Sequence, residues 1–171
     1  YTVTKEAVPL GYQLELFETF PPAGWLVKGW RDASTNLEGD KSVYASIDYN
    51  DMLLTSPRLD LSDPSSPHKV TFSYYNQFTS KDRTTYPDNE ISLLISTDGG
   101  KTWKSTDWKT GNNASSVYNK IQSVTVDLSR YSSDNVKLCW KIPAIDMSDE
   151  SGSGEYSTFY LDQILLPNVY G

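Results

Sequence analysis

One cysteine, one histidine and two methionines are all that 171 residues hold of those types. A lone cysteine excludes an intramolecular disulfide. Cys139 stands in the alternating run Val136-Lys137-Leu138-Cys139-Trp140-Lys141-Ile142, which reads as a strand with the thiol as a small apolar core residue. The single His68, in the loop from Pro64, argues against a Ser-His-Asp triad and a His-rich metal centre, and a catalytic thiol would lack its base. No run of lysine or arginine exists. Fifteen basic against 22 acidic residues give a net charge of −7. Nucleic acid is thereby set aside as a partner, because phosphate binding needs clustered positive charge. An acidic surface suits divalent cations instead. No apolar run approaches the roughly 18–20 residues of a membrane helix, so no membrane insertion is expected. A chain that starts at Tyr1 without a leader reads as a mature fragment or one module of a longer protein.

Aromatics are plentiful at 13%, with 12 Tyr and 5 Trp. Rings and β-branched side chains pack well on a pleated surface, so strands are expected throughout. Residues 1–12 read as a lead-in or linker and 13–171 as one domain. Strands are expected over Gln13–Phe20, Ser42–Ile47, Lys69–Phe78, Glu90–Ser96, Thr102–Trp108, Lys120–Leu128, Asn135–Pro143 and Thr158–Leu166, with Trp25–Trp30 a short strand or extended piece and Met52–Leu61 extended and broken by Pro57. Asn36–Asp40 reads as a polar turn. About ten short strands without intervening helices imply an all-β, antiparallel jelly-roll β-sandwich. The segment Ser96-Thr97-Asp98-Gly99-Gly100-Lys101-Thr102-Trp103 reads as a hairpin turn in which Asp98 bonds the amides ahead of it. Its pattern also fits the Asp box of secreted β-proteins, where it shapes a turn. No internal repeat is visible, which argues against a propeller.

The order of motifs carries a resemblance. Phe17-Glu18-Thr19-Phe20-Pro21-Pro22-Ala23-Gly24-Trp25 is followed by Met52-Leu53-Leu54-Thr55-Ser56-Pro57-Arg58-Leu59-Asp60-Leu61. Val70-Thr71-Phe72-Ser73-Tyr74, the Ser96–Trp103 hairpin, Val126-Asp127-Leu128-Ser129 and Phe159-Tyr160-Leu161-Asp162-Gln163-Ile164 complete the series. This succession, over roughly residues 13–166, resembles the cleaved-adhesin or choice-of-anchor jelly rolls of bacterial surface proteins, relatives of the MAM domain. The resemblance implies secretion, an accessory role in adhesins and secreted peptidases, and a structural calcium ion. The residues support calcium on their own account. Glu18 and Asp162 are carboxylates inside apolar strands, which is costly unless they are paired or coordinated. First and last strands of a jelly roll are neighbours, so the two acids would meet and need a cation. The family pattern adds Gly39-Asp40, with Asp40 as the third ligand. Where relatives have Asp-Asp, this chain has Asp162-Gln163.

A carbohydrate surface would offer exposed rings for stacking beside polar groups for the hydroxyls. The candidates are Trp108, Tyr118, Tyr86, Asn112 and Arg83, with Trp108 the best exposed ring; Trp25 and Trp140 read as core. Glu90, Asp88 and Asp107 are nominal glycosidase carboxylates, but nothing separates them from ordinary surface acids. The expectation is therefore a secreted or surface-attached, non-catalytic binding module for glycan or for host or matrix protein, held by calcium. A structural spacer beside a peptidase is the alternative.

Overall fold

Alternation builds this domain. In Lys69–Gln77 the side chains of Val70, Phe72 and Tyr74 are buried, while Thr71 and Tyr75 between them keep contact with solvent. The same two-residue rhythm recurs along the chain, and the outcome in the computed structural model is a pair of packed antiparallel sheets. The structure describes residues 10–37, 40–46, 50–77, 90–110, 121–144 and 158–169.

Eleven strands run through the described residues: β1 (Tyr12–Glu15), β2 (Leu26–Lys28), β3 (Arg31–Leu37), β4 (Asp40–Ser46), β5 (Met52–Thr55), β6 (Lys69–Gln77), β7 (Ser92–Ser96), β8 (Lys104–Lys109), β9 (Ile121–Asp127), β10 (Lys137–Ile142) and β11 (Thr158–Pro167). The six-stranded sheet has the order β3-β4-β11-β6-β9, with β1 also on β11; the five-stranded sheet has the order β2-β5-β10-β7-β8. This is the expected jelly-roll β-sandwich. The strands are mostly shorter than expected, and β3 is a strand the sequence reading did not assign. β1 starts at Tyr12 and ends at Glu15, because Phe17 turns to a φ of 55° and leaves the ladder. Glu18 therefore lies beyond the strand and is exposed, not inside an apolar strand. Of the expected polar turn Asn36–Asp40, Asn36 and Leu37 end β3 and Asp40 begins β4, where Leu37 pairs with Asp40; residues 38–39 lie outside the described residues, and the pairing of the two strands shifts register between Ala33 and Leu37.

A chain of rings crosses the core. Phe17 packs edge-on to Trp25 at 5.7 Å between centroids, Trp25 tilts on Trp140 at 6.0 Å, and Trp140 meets Phe72 edge-on at 5.5 Å. Edge-to-face pairs of this kind contribute about 0.5–1.5 kcal/mol beyond burial. Cys139 is buried in β10, and burial pushes its thiol pKa up, as a core residue requires.

The Ser96–Trp103 turn is a closed hydrogen-bond circuit. Ser96 Oγ donates to Asp98 Oδ1 at 2.7 Å and accepts from the Gly100 amide at 2.8 Å. Asp98 accepts from the Thr102 amide at 2.9 Å and from the Thr102 hydroxyl at 2.6 Å. Gly99, at a φ of 77°, backs onto Asn135 so closely that a Cβ would stand 2.7 Å from its side-chain nitrogen. The motif is architectural, as the sequence suggested. These bonds, the one from the Thr102 hydroxyl foremost, hold the Asp98 carboxyl well below the usual carboxylate range. Because the folded pKa is depressed, the stabilisation is present above the unfolded pKa of about 4 and is lost as pH falls through the folded value. Asp98→Asn is expected to lower the unfolding midpoint at neutral pH, with the gap to wild type closing progressively in scans below about pH 4. A gap that does not narrow in acid would contradict this role.

Candidate functional site

Outward positions on the six-stranded sheet line up across neighbouring strands, because antiparallel register places paired residues on one face. Arg31 pairs with Tyr44, Tyr44 with Tyr160, Tyr160 with Tyr75, and Tyr75 with Ile121. Their chain neighbours Val43, Ala45, Phe159, Leu161 and Tyr74 are buried, so this row faces outward. The three tyrosines on β4, β11 and β6 are partly exposed and touch one another: Tyr44 tilts on Tyr160 at 6.1 Å, and Tyr75 meets Tyr160 edge-on at 5.8 Å. Partial burial, then the neighbouring Tyr44 and Tyr75 phenols, push the Tyr160 pKa up. Two residues along, Asp162, Ser73 and Ser123 form the next row. The result is a strip of rings with a cation at one end; in the row alongside, Asp162 and Ser73 are buried and Ser123 is exposed. Sequence reasoning missed it, although the signal was present: Val43-Tyr44-Ala45, Tyr74-Tyr75 and Phe159-Tyr160-Leu161 each set a tyrosine out of phase with the apolar residues.

Trp108 is placed differently from the expectation of an exposed ring. It meets Phe72 edge-on at 4.9 Å and Tyr74 at 5.6 Å, so it packs between the sheets and is half-buried. The cause is a bulge in β8: the pairing with β7 shifts between Ser92 and Leu94, and Asp107 adopts a φ of 72°. Thr106 is thereby buried, with its hydroxyl on the Leu93 carbonyl at 2.8 Å, and the ring that follows leans inward. The other ligand candidates, Tyr118, Tyr86, Asn112 and Arg83, lie outside the described residues.

Of the calcium candidates, Asp162 is fully buried in β11 and its Oδ1 accepts the Gln163 amide at 2.8 Å. β4 and β1 both pair with the same side of β11, β4 at Thr158–Leu161 and β1 at Ile164–Pro167. Asp162 sits at the joint between them. The end of β1, leading to Glu18, and the start of β4, at Asp40, both run to that joint. Glu15, which the sequence reading passed over, is the half-buried carboxylate of β1. Burial raises its pKa, Glu18 adds repulsion, and the Phe17 amide at 2.8 Å opposes both. Among the described residues, no group of three or more His, Cys, Asp or Glu could hold a metal ion. The side chain of Asp40 is not among those described.

The nominal catalytic acids have ordinary partners. Asp107 pairs with Arg130 at 3.1 Å and Glu90 with Lys109 at 3.6 Å, while Asp88 lies outside the described residues.

No protein-family model and no curated protein matches the chain. Solved structures do. The family 11 carbohydrate-binding module from Clostridium thermocellum, in complex with a β-1,3-1,4-mixed-linked tetrasaccharide, is 12% identical, with a TM-score of 0.52 over 94% of this chain and 98% of that one. The CBM22-1-CBM22-2 tandem domain from Paenibacillus barcinonensis Xyn10C is 13% identical at a TM-score of 0.49, over 93% of this chain and 45% of that one. The low-affinity xylan-binding module CBM86 from Roseburia intestinalis is 12% identical at 0.44, over 92% and 95%. The first likeness supports the β-sandwich fold. The resemblance to cleaved-adhesin and MAM domains gains nothing from any of them.

Because its ring is packed on Phe72 and Tyr74, Trp108→Ala is expected to cost about 2–4 kcal/mol of stability. Chemical denaturation measures this, and an unchanged midpoint would show that the ring is not part of the core.

Proposed function

We propose that this domain is a non-catalytic carbohydrate-binding module of a secreted protein and takes a linear glycan across the outer face of its six-stranded sheet. The observation that carries the reading is the in-register row Tyr44, Tyr160, Tyr75 on three adjacent strands. Pyranose rings present flat C–H faces that stack on such rings, and their hydroxyls take hydrogen bonds from flanking polar groups. Phenol hydroxyls, Ser123 and the Arg31 guanidinium supply these. The fold neighbour solved with a mixed-linked tetrasaccharide makes a neutral β-glucan the first ligand to try. A host or matrix protein is less well supported. The large apolar side chains exposed among the described residues, Leu10, Leu26 and Ile121, lie on separate segments and form no docking patch.

Tyr160 is the middle ring of the three. Tyr160→Ala is expected to weaken binding of a mixed-linked β-glucan oligosaccharide about five- to thirtyfold, since one stacking ring contributes roughly 1–2 kcal/mol. Isothermal titration calorimetry measures the affinity, with circular dichroism to verify the fold. Equal affinity in wild type and variant would remove the tyrosine row from the binding site. Absence of binding across neutral glycans would favour the spacer role instead.

Calcium belongs to the same proposal. A buried carboxylate at a joint between strand ends, with Glu18 and Asp40 on the segments that reach it, suits a hard cation with about six to eight oxygen ligands. When bound, the ion would tie β1 and β4 to β11. At 100 times its dissociation constant it would add about 2.7 kcal/mol, or about 5–10 °C in the unfolding midpoint. The expected result is a midpoint that falls in EDTA, recovers with added Ca²⁺, and responds less in the exposed-site variant Glu18→Gln. A midpoint indifferent to both would contradict calcium binding.

A further inference from the structure

The opposite end of the sandwich carries a second cleft that the tyrosine row does not use. It lies where β9 crosses to β10, against the Ser96–Trp103 turn, and encloses about 860 Å³. Lys104, Arg130, Tyr131, Ser132 and Ser133 line it. Two cations, Lys104 and Arg130, and one acid, Asp134, line it, and Arg130 is itself paired with Asp107 at 3.1 Å. The lining carboxylate, Asp134, faces Arg58 at 3.8 Å. Lys104 is exposed and makes no ion pair among the described residues.

The cleft is also built rigidly. Arg130 is pinned from two sides: Nε donates to the Tyr131 hydroxyl at 3.0 Å, and one terminal nitrogen donates to Asp107 Oδ2 at 3.1 Å. Ser133 Oγ donates to the Thr97 carbonyl at 2.9 Å and accepts the Asn135 amide at 3.0 Å, which fastens the crossover to the turn. The turn itself is closed by Ser96 and Asp98. Walls of this kind hold a ligand without loop-ordering cost.

We propose that this cleft is a separate binding site for an acidic saccharide, a uronic-acid oligosaccharide, with the sugar carboxylate between Lys104 and Arg130. Charged donors to a carboxylate form the stronger, charge-assisted class of hydrogen bond. Serine and threonine hydroxyls match the sugar hydroxyls, while the half-buried Tyr131 ring carries the Arg130 guanidinium over its face, 5.1 Å from the centroid, and so holds it at the cleft wall. The site does not depend on the tyrosine row. Lys69 and Tyr75 on β6 are six residues apart, about 20 Å of strand, and they mark the two ends of the sheet.

Isothermal titration calorimetry of the intact domain with trigalacturonic acid, with its methyl ester and with inorganic sulfate tests the assignment. The acid is expected to bind. The ester, which keeps the rings and loses the charge, is expected to bind about tenfold more weakly or worse. Lys104→Glu and Arg130→Gln should each lose the acid to a similar degree, and Tyr160→Ala should leave its affinity unchanged. Failure of the acid to bind, equal affinity for acid and ester, or displacement by sulfate at equal concentration would overturn the proposal. A loss in Tyr160→Ala with none in Lys104→Glu would do so too, by placing the acid on the tyrosine row.

Discussion

β11 has to hydrogen-bond β6 along one edge, while its other edge serves β4 over the first half and β1 over the second. A strand with strict alternation could not satisfy all of these and keep its apolar residues inward. Phe159 and Leu161 face the core, yet so do Ile164 and Leu166. The parity switches between Asp162 and Leu165, where the register against β6 slips and Gln163 adopts a φ of 51°. That single bulge lets the last strand fill the core on both sides of the joint. It also fixes Tyr160 outward, two residues before the bulge, and leaves Asp162 buried where β1 and β4 abut.

The packing below follows from this register. β6 sets Phe72 and Tyr74 beneath β11, and the rings of Trp140, Trp25 and Phe17 continue from Phe72 across the core. Trp108 closes the line from the edge strand β8. A chain without disulfides thus joins its two sheets through aromatic edges. The same alternation that directs these rings inward sends the tyrosines of β4, β6 and β11 outward in one row.

Much of this was legible in the sequence. Two-residue alternation located β6 within a residue, and the buried Leu138, Trp140 and Ile142 positions marked β10 as a core strand. The Asp-box turn was readable because side-chain chemistry at Ser96 and Asp98 dictates it locally. Glu18 was misplaced because a positive φ at Phe17 ends β1 early, and no neighbouring residue announces that change. Trp108 looked exposed for a similar reason: an Asp-centred bulge leans it inward against the alternation. The tyrosine row escaped notice because it is assembled from strands far apart in the chain, and only register brings them together.

The jelly roll thus presents two different surfaces at opposite ends: a strip of rings on the six-stranded sheet and a cleft lined by Lys104 and Arg130 behind the Asp-box turn. Glycan binding is assigned to the first. Backbone amide chemical shifts recorded during titration with a neutral mixed-linked β-glucan oligosaccharide would test it most directly. The expected result is saturable shifts concentrated at Tyr44, Tyr75, Tyr160 and their cross-strand neighbours Arg31 and Ile121. Shifts confined to the five-stranded sheet, or none at any concentration reached, would contradict the account.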